Sequence, residues 1–238
     1  GNREVFGLLH CKGRQPCGSE GRRLCVPVFA VGVEHQRRVL QDVTVAHYGN
    51  GAVIARKGET ADHWIGVMDG LIRISVGNAD GKVASLTGIP VGGWLGEGSI
   101  LKKECRKYDV VALRDSYVAR LPSRTFEWLL DNSIPFNRYL LDMLNERVGQ
   151  FIGRAEHDRL LNADARVARC LAELFNPLLY PGLKQRLAIT QEEMGYLARV
   201  SRQRANQALK KLQSEKLLHV EYGAVSILDL EGLRRYGA

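Results

Sequence analysis

Residues Ile189 to Leu212, ITQEEMGYLARVSRQRANQALKKL, carry the side chains best suited to chemistry on a nucleic acid. Arg202, Gln203, Arg204, Asn206 and Gln207 crowd the start of one helical repeat. Guanidinium and amide groups there can reach base edges, while Leu209 and Leu212 on the opposite face hold the helix in place. Thr190 is a natural N-cap for a preceding helix, and Glu193 stands three residues later, in capping-box position. Met194, Leu197 and Ala198 give that helix one apolar stripe, and Ser201 can cap the next one. The pattern is that of a helix-turn-helix that reads double-stranded DNA. The net charge of +8 agrees with a polyanionic partner. From Arg166 onward there are 12 Lys/Arg against 7 Asp/Glu, so five of those charges lie in the last third.

Two further groups invite a chemical reading. Arg106 and Lys107, with backbone N–H groups near Gly98 and Ser99, could hold an anion. Cys11, Cys17 and Cys25 are three thiols in a Gly- and Arg-rich segment. The intervening spacings are five and seven residues. Cys105 lies in the glycine cassette, and Cys170 reads as a small core residue. Five cysteines, an odd number, do not form a disulfide framework. His47 and His63 have no second ligand at metal-binding spacing. The sequence has no nucleophile elbow, no HExxH, no GxxxxGK[ST] and no paired catalytic carboxylates, so it does not read as an enzyme.

The elements that must position these groups follow from periodicity. Residues 1–30 are irregular, and a short helix is expected at about Glu34 to Gln41. From Val43 to Leu121 short β runs are cut by glycines, with a turn at Asn78 to Gly81, as in a sandwich or jelly roll. Thr125 to Asn132 reads as a short helix. A long helix follows, in which Leu141, Leu144, Val148, Phe151 and Ala155 step by three and four as a heptad seam for a second copy. A break at Asn162 to Asp164, a helix over Ala165 to Phe175, the helix-turn-helix and a hairpin around Tyr222-Gly223 complete the chain.

The fold class expected is α+β. An irregular N-terminal segment (1–30) precedes a jelly-roll effector-sensing domain (31–135). A dimerisation helix (136–163) then leads to a winged helix-turn-helix (164–238). No apolar run is long enough to span a bilayer and no signal peptide is evident, so a cytoplasmic protein is expected.

Four motifs carry a resemblance to the cAMP receptor protein and fumarate-nitrate reduction regulator (Crp/Fnr) family. They are YGNGAVIARKGE, GVMDGLIRISV, WLGEGSILKKECRKYDVVAL and ITQEEMGYLARVSRQRANQALKKLQSEKLL. The resemblance runs from about residue 30 to the end. It implies a homodimeric transcription regulator on a palindromic operator, with RNA polymerase and a small-molecule effector as further partners. In the family's cAMP binders the cassette glutamate holds a ribose hydroxyl and an arginine the phosphate; these positions fall on Glu97 and Arg106. Lys107 stands where those proteins have serine. Phe151 and Ile152 stand where they place Thr-Ser against the base, so an effector other than cAMP is expected. The resemblance also implies base contacts by Arg202, Gln203 and Gln207. Thr190, Ser201, Arg204 and Asn206 are expected on phosphates, with general attraction from Arg199 and Lys210. The N-terminal cysteines resemble the cluster-binding segment of the oxygen-sensing members, at wider spacing and without a cysteine in the last sensor strand. The alternatives are therefore an iron–sulfur or redox regulator acting through those cysteines, or a cyclic-nucleotide-binding module. No cofactor is assigned.

Overall fold

The computed structural model describes residues 32–77, 83–160 and 162–237. The N-terminal cysteines and the Asn78 to Gly81 turn lie outside the described residues.

Helix α1 (Val33–Asp42) leads into β1 (Thr44–Tyr48), β2 (Val53–Ala55), β3 (His63–Asp69), β4 (Leu71–Gly77), β5 (Val83–Pro90) and β6 (Trp94–Leu95). A short helix α2 (Glu97–Lys102) intervenes before β7 (Asp109–Ala112) and β8 (Ser116–Pro122). The strands form two four-stranded antiparallel sheets, β1-β8-β3-β6 and β2-β7-β4-β5. Consecutive strands often lie in different sheets, and that is how a sandwich closes over its own core. β3 is buried along nearly its whole length rather than alternately, because both its faces are covered.

Helix α3 (Ser123–Asn132) follows β8, and α4 (Ile134–Leu160) begins two residues later. The Ser133 hydroxyl accepts the Phe136 N–H at 3.3 Å, which stops one helix and starts the next. Phe136 then enters the sandwich edge-on against Trp64 (5.8 Å) and Phe126 (5.5 Å), both planes at 84°. Aromatic pairs prefer this edge-to-face geometry, and all three rings are almost wholly buried.

The 27 residues of α4 span about 40 Å and present three faces. Phe136, Leu140 and Met143 pack into the sandwich core. Ile134, Leu141, Val148 and Ile152 are exposed, each by more than half. Glu146, Gly149 and Gly153 border an open cleft against the next helix. The expected seam thus coincides with the exposed stripe at Leu141, Val148, Phe151 and Ala155, while Leu144 is drawn part-way into the core.

Asn162 caps α5 (Ala163–Leu174), accepting the Ala165 N–H at 3.0 Å. The chain continues through β9 (Arg186–Ala188), α6 (Gln191–Ala198), α7 (Arg202–Ser214), β10 (Leu218–Glu221), β11 (Ala224–Ile227) and α8 (Leu230–Arg235). The three strands make a small sheet in the order β10-β11-β9, so the expected hairpin gains a third strand, β9, from before the helix-turn-helix. α5, α6 and α7 share a second core that includes Leu171, Met194, Leu197, Leu209 and Leu212. Leu71 of β4 belongs to this core as well, so the two halves of the chain meet there.

Removing the Phe136 ring should open a cavity where three aromatic rings now meet. The expected loss for Phe136→Ala is about 3–5 kcal/mol, read from urea unfolding of the sandwich. An unchanged midpoint would show that α4 is held elsewhere.

Candidate nucleic-acid interface and effector cassette

The capping box that opens α6 is complete. The Thr190 hydroxyl accepts the Glu193 N–H at 3.2 Å, and the Glu193 carboxylate accepts the Thr190 N–H at 2.6 Å. Gly195 lets the turn close: a Cβ there would lie 2.9 Å from the Val200 carbonyl oxygen. That turn delivers Ser201, whose hydroxyl accepts the Arg204 N–H at 3.2 Å and caps α7.

α7 then divides cleanly. Ala205, Ala208, Leu209 and Leu212 are buried, while Arg202, Gln203, Arg204 and Gln207 are exposed. Arg202 and Gln203 make no side-chain hydrogen bond among the described residues, so their donors face solvent. Arg204 is steered by Gln207 Oε1 (2.8 Å) and Asp164 Oδ1 (3.3 Å). Asn206 is half-buried and receives a bond from Gln191 Nε2 at 3.1 Å. Arg199 points the other way. It adopts a left-handed backbone conformation (φ 56°), and its Nε donates to the Ser85 carbonyl of β5 at 3.1 Å. This bond ties the turn to the sandwich.

A second arm reaches the same unit. Arg114, between β7 and β8, donates Nε to Glu193 Oε1 at 2.9 Å and Nη2 to Glu193 Oε2. Glu193 therefore serves both the capping box and a forked ion pair across the two halves of the chain.

The cassette gathers around α2. Gly96 holds φ 98°, which an L side chain rarely adopts, and a Cβ there would lie 2.8 Å from Arg106 Nη1. Glu97 and Arg106 are both almost fully buried. They do not pair with each other. Glu97 Oε1 accepts from Arg147 Nη1 of α4 at 3.0 Å, and Arg147 Nη2 donates to the Trp94 carbonyl at 2.7 Å. Arg106 Nη2 donates to the His63 carbonyl at 2.8 Å. One acceptor, Glu97 Oε2, and one donor, Arg106 Nη1, remain buried without a partner. Burial pulls the Arg106 pKa below its ordinary value. For Arg147 burial acts in the same sense, but the Glu97 carboxylate and nearby tyrosines more than offset it, and its pKa rises. Tyr108 is pushed up to about 12, by burial first and by the Glu97 charge second.

The structure brings Gly96, Glu97, Ser99 and Arg106 together, with Gly98 exposed beside them. Lys107 is exposed and pairs with Glu104 at 3.1 Å. Phe151 and Ile152 are exposed on α4. Arg147 was not among the residues expected at the cassette; it lies 50 residues from Glu97. His63 Nδ1 contacts Asp62 Oδ1 at 2.8 Å, and no cluster of three metal-ligating side chains occurs among the described residues.

Each half of the chain matches its own family model. Residues 45–133 match the cyclic nucleotide-binding domain, and residues 165–236 match the Crp-like helix-turn-helix domain. The HTH-type transcriptional regulator Cmr of Mycobacterium tuberculosis is 26% identical over 215 residues, covering 90% of this chain and 83% of that protein. The transcriptional regulator SdrP of Thermus thermophilus is 26% identical over 170 residues, covering 71% and 80%. Among solved structures, FixK2 from Bradyrhizobium japonicum superposes with a TM-score of 0.65 at 19% identity, covering 82% of this chain and 98% of that one. The c-di-GMP responsive global regulator CLP of Xanthomonas campestris gives 0.58 at 21% identity, covering 82% and 99%. A nucleotide-binding-type β domain joined to a winged helix-turn-helix defines a DNA-binding transcription regulator. Within that class the chain belongs to the Crp/Fnr family. No helix among the described residues is long and apolar enough to cross a membrane.

Because Glu193 is buried and doubly used, Glu193→Ala should cost more than Thr190→Ala. About 0.5–2 kcal/mol is expected for the cap alone. A further loss of about 1–3 kcal/mol is expected for leaving Arg114 without its acceptor. Urea titrations of both variants test this; equal losses would remove the interdomain role of Glu193.

Proposed function

We propose that the chain acts as a homodimer, with the exposed stripe of α4 as the seam between copies. The observation that carries this reading is the row Ile134, Leu141, Val148 and Ile152: four large apolar side chains more than half exposed, at spacings of seven, seven and four. That is the repeat of a two-stranded coiled coil, and an apolar row of this kind is rarely left in water. Phe151 and Ala155 flank the same seam. A two-fold pair presents two α7 helices and so fits a palindromic operator.

On each half-site Arg202, Gln203 and Gln207 read bases, arginine suiting guanine and glutamine suiting adenine. Thr190, Ser201, Arg204 and Asn206 bind phosphates. Gly96, Glu97, Gly98, Ser99 and Arg106 bind an effector that offers a hydroxyl to Glu97 Oε2 and an anionic oxygen to Arg106 Nη1. Both atoms are buried without partners, and a ligand of that chemistry would satisfy both. Position 107 offers lysine and positions 151 and 152 offer no hydroxyl, so the effector is not cAMP. It can act on DNA affinity only by preferring one arrangement of the two halves.

Three measurements test this reading. Leu141→Asp should give a folded monomer by sedimentation, because the native side chain is exposed. Persistence of the dimer would reject the seam. Arg202→Ala should weaken operator binding by about 5- to 150-fold and relax one base position. An equal loss on random DNA would instead make Arg202 a phosphate contact. A phosphate-bearing, hydroxylated ligand should raise the melting temperature of the wild type by several degrees and leave Arg106→Gln unmoved. An equal rise in both would place the effector outside the cassette.

A further inference from the structure

Gln207 is exposed on α7, yet its amide is held. Its Oε1 accepts from Arg204 Nη1 at 2.8 Å. Chemistry fixes which end of the amide faces the arginine: a guanidinium has only donors, so the atom it meets must be the carbonyl oxygen. Arg204 is held in turn. Its Nη2 donates to Asp164 Oδ1 at 3.3 Å, and Asp164 Oδ2 accepts from Lys211 Nζ at 3.3 Å. Asp164 lies in the first turn of α5 with only 15% of its side chain exposed, so it is the fixed end of this relay. Arg204 and Lys211 stand about two turns apart on α7, with Gln207 between them, and one carboxylate grips both. A single negative charge shared by two cations leaves the group net positive.

We propose that Arg204, steered by Asp164, makes Gln207 a hydrogen-bond donor toward DNA, so that the base it reads is guanine and not adenine. The proposal depends on α7 being the recognition helix, as inferred above. Glutamine recognises adenine with both ends of its amide, the oxygen on the N6 amino group and the nitrogen on N7. Here the oxygen is turned to Arg204, and the Nε2 amino group is the outward end. The oxygen keeps a second lone pair, but an adenine amino group using it would bring its own partly positive hydrogens against the guanidinium. Guanine presents N7 and O6 on that edge, both acceptors. Nε2 can donate to either, and the positive group beside it favours both. Gln203, four residues earlier on the same face, makes no side-chain hydrogen bond among the described residues and keeps its whole amide for adenine. Two glutamines of one helix thus read different bases, and the difference comes from a carboxylate outside the helix-turn-helix.

The full chain is incubated at low salt with a duplex library whose palindromic half-sites are randomised, and the bound duplexes are sequenced. Comparison with Gln207→Ala marks the position that Gln207 reads. There the wild type should prefer a G·C pair to an A·T pair by about fivefold or more, the low end for a base contact. Arg204→Met removes the guanidinium and should shift that position, and no other, toward A·T. Asp164→Asn should weaken the G·C preference at the same position with Arg204 intact. A lost phosphate contact lowers binding to all sequences alike, so the ratio at one position separates steering of Gln207 from general attraction. An A·T preference in the wild type, or a G·C preference unchanged in Arg204→Met, would overturn the proposal and leave α7 as the recognition helix. If Gln207→Ala relaxes no position, the base contact itself falls and the proposal with it. The wild-type ratio does not require the Arg204 and Asp164 variants to fold, so it decides if either is unstable.

Discussion

One helix has to satisfy three neighbours at once, and the rest of the molecule is arranged around that demand. α4 is anchored at its start by Phe136 among Trp64 and Phe126. Midway, Arg147 turns inward to Glu97 and the Trp94 carbonyl. Near its end, Arg154 reaches Glu173 of α5 and the Leu86 carbonyl of β5. Phe136, Arg147 and Arg154 are eleven and seven residues apart, about three and two helical turns, so they lie toward one side of the helix. A helix used on several faces has no single apolar stripe, and its stability comes from packing rather than from amphipathic pattern.

The recognition unit depends on the same economy of shared groups. Glu193 is at once the reciprocal cap of α6 and the acceptor for Arg114. Burial makes this arrangement strong and unforgiving: a fully satisfied carboxylate fixes geometry, while a half-satisfied one is costly. The cassette shows the opposite condition. Glu97 and Arg106 are each bonded on one side only, leaving an acceptor and a donor unused. Such under-satisfied groups are uncommon in a core, and the effector proposed above is the group that would satisfy them.

What was legible in the sequence was mostly local. Thr190, Glu193 and Ser201 announce helix starts by type and spacing, and Leu209 and Leu212 announce the buried side of α7. The β domain was legible through glycines and short apolar runs. The heptad of α4 was legible, but not that a second row at Phe136, Leu140, Met143 and Arg147 runs beside it, because apolar residues on two sides blur the period. α2 was missed since Gly96-Glu97-Gly98 reads as a loop; the helix exists because Gly96 takes the left-handed conformation that starts it. β9 was missed because three residues carry too little pattern. The long-range pairs were invisible in principle. Nothing at Glu97 points to residue 147, and nothing at Arg199 says that it bonds backward to Ser85 rather than outward.

The joint between the two halves has a consequence for how the chain can change over time. Arg154 and Arg199 grip β5 through its peptide carbonyls, not through its side chains. Every residue type supplies a carbonyl, so positions 85 and 86 can drift in identity while the grip persists. The arginines have no such freedom, since lysine cannot reproduce a planar, forked donor. Divergence at this contact should therefore be one-sided: a variable strand facing an unvarying pair of guanidiniums.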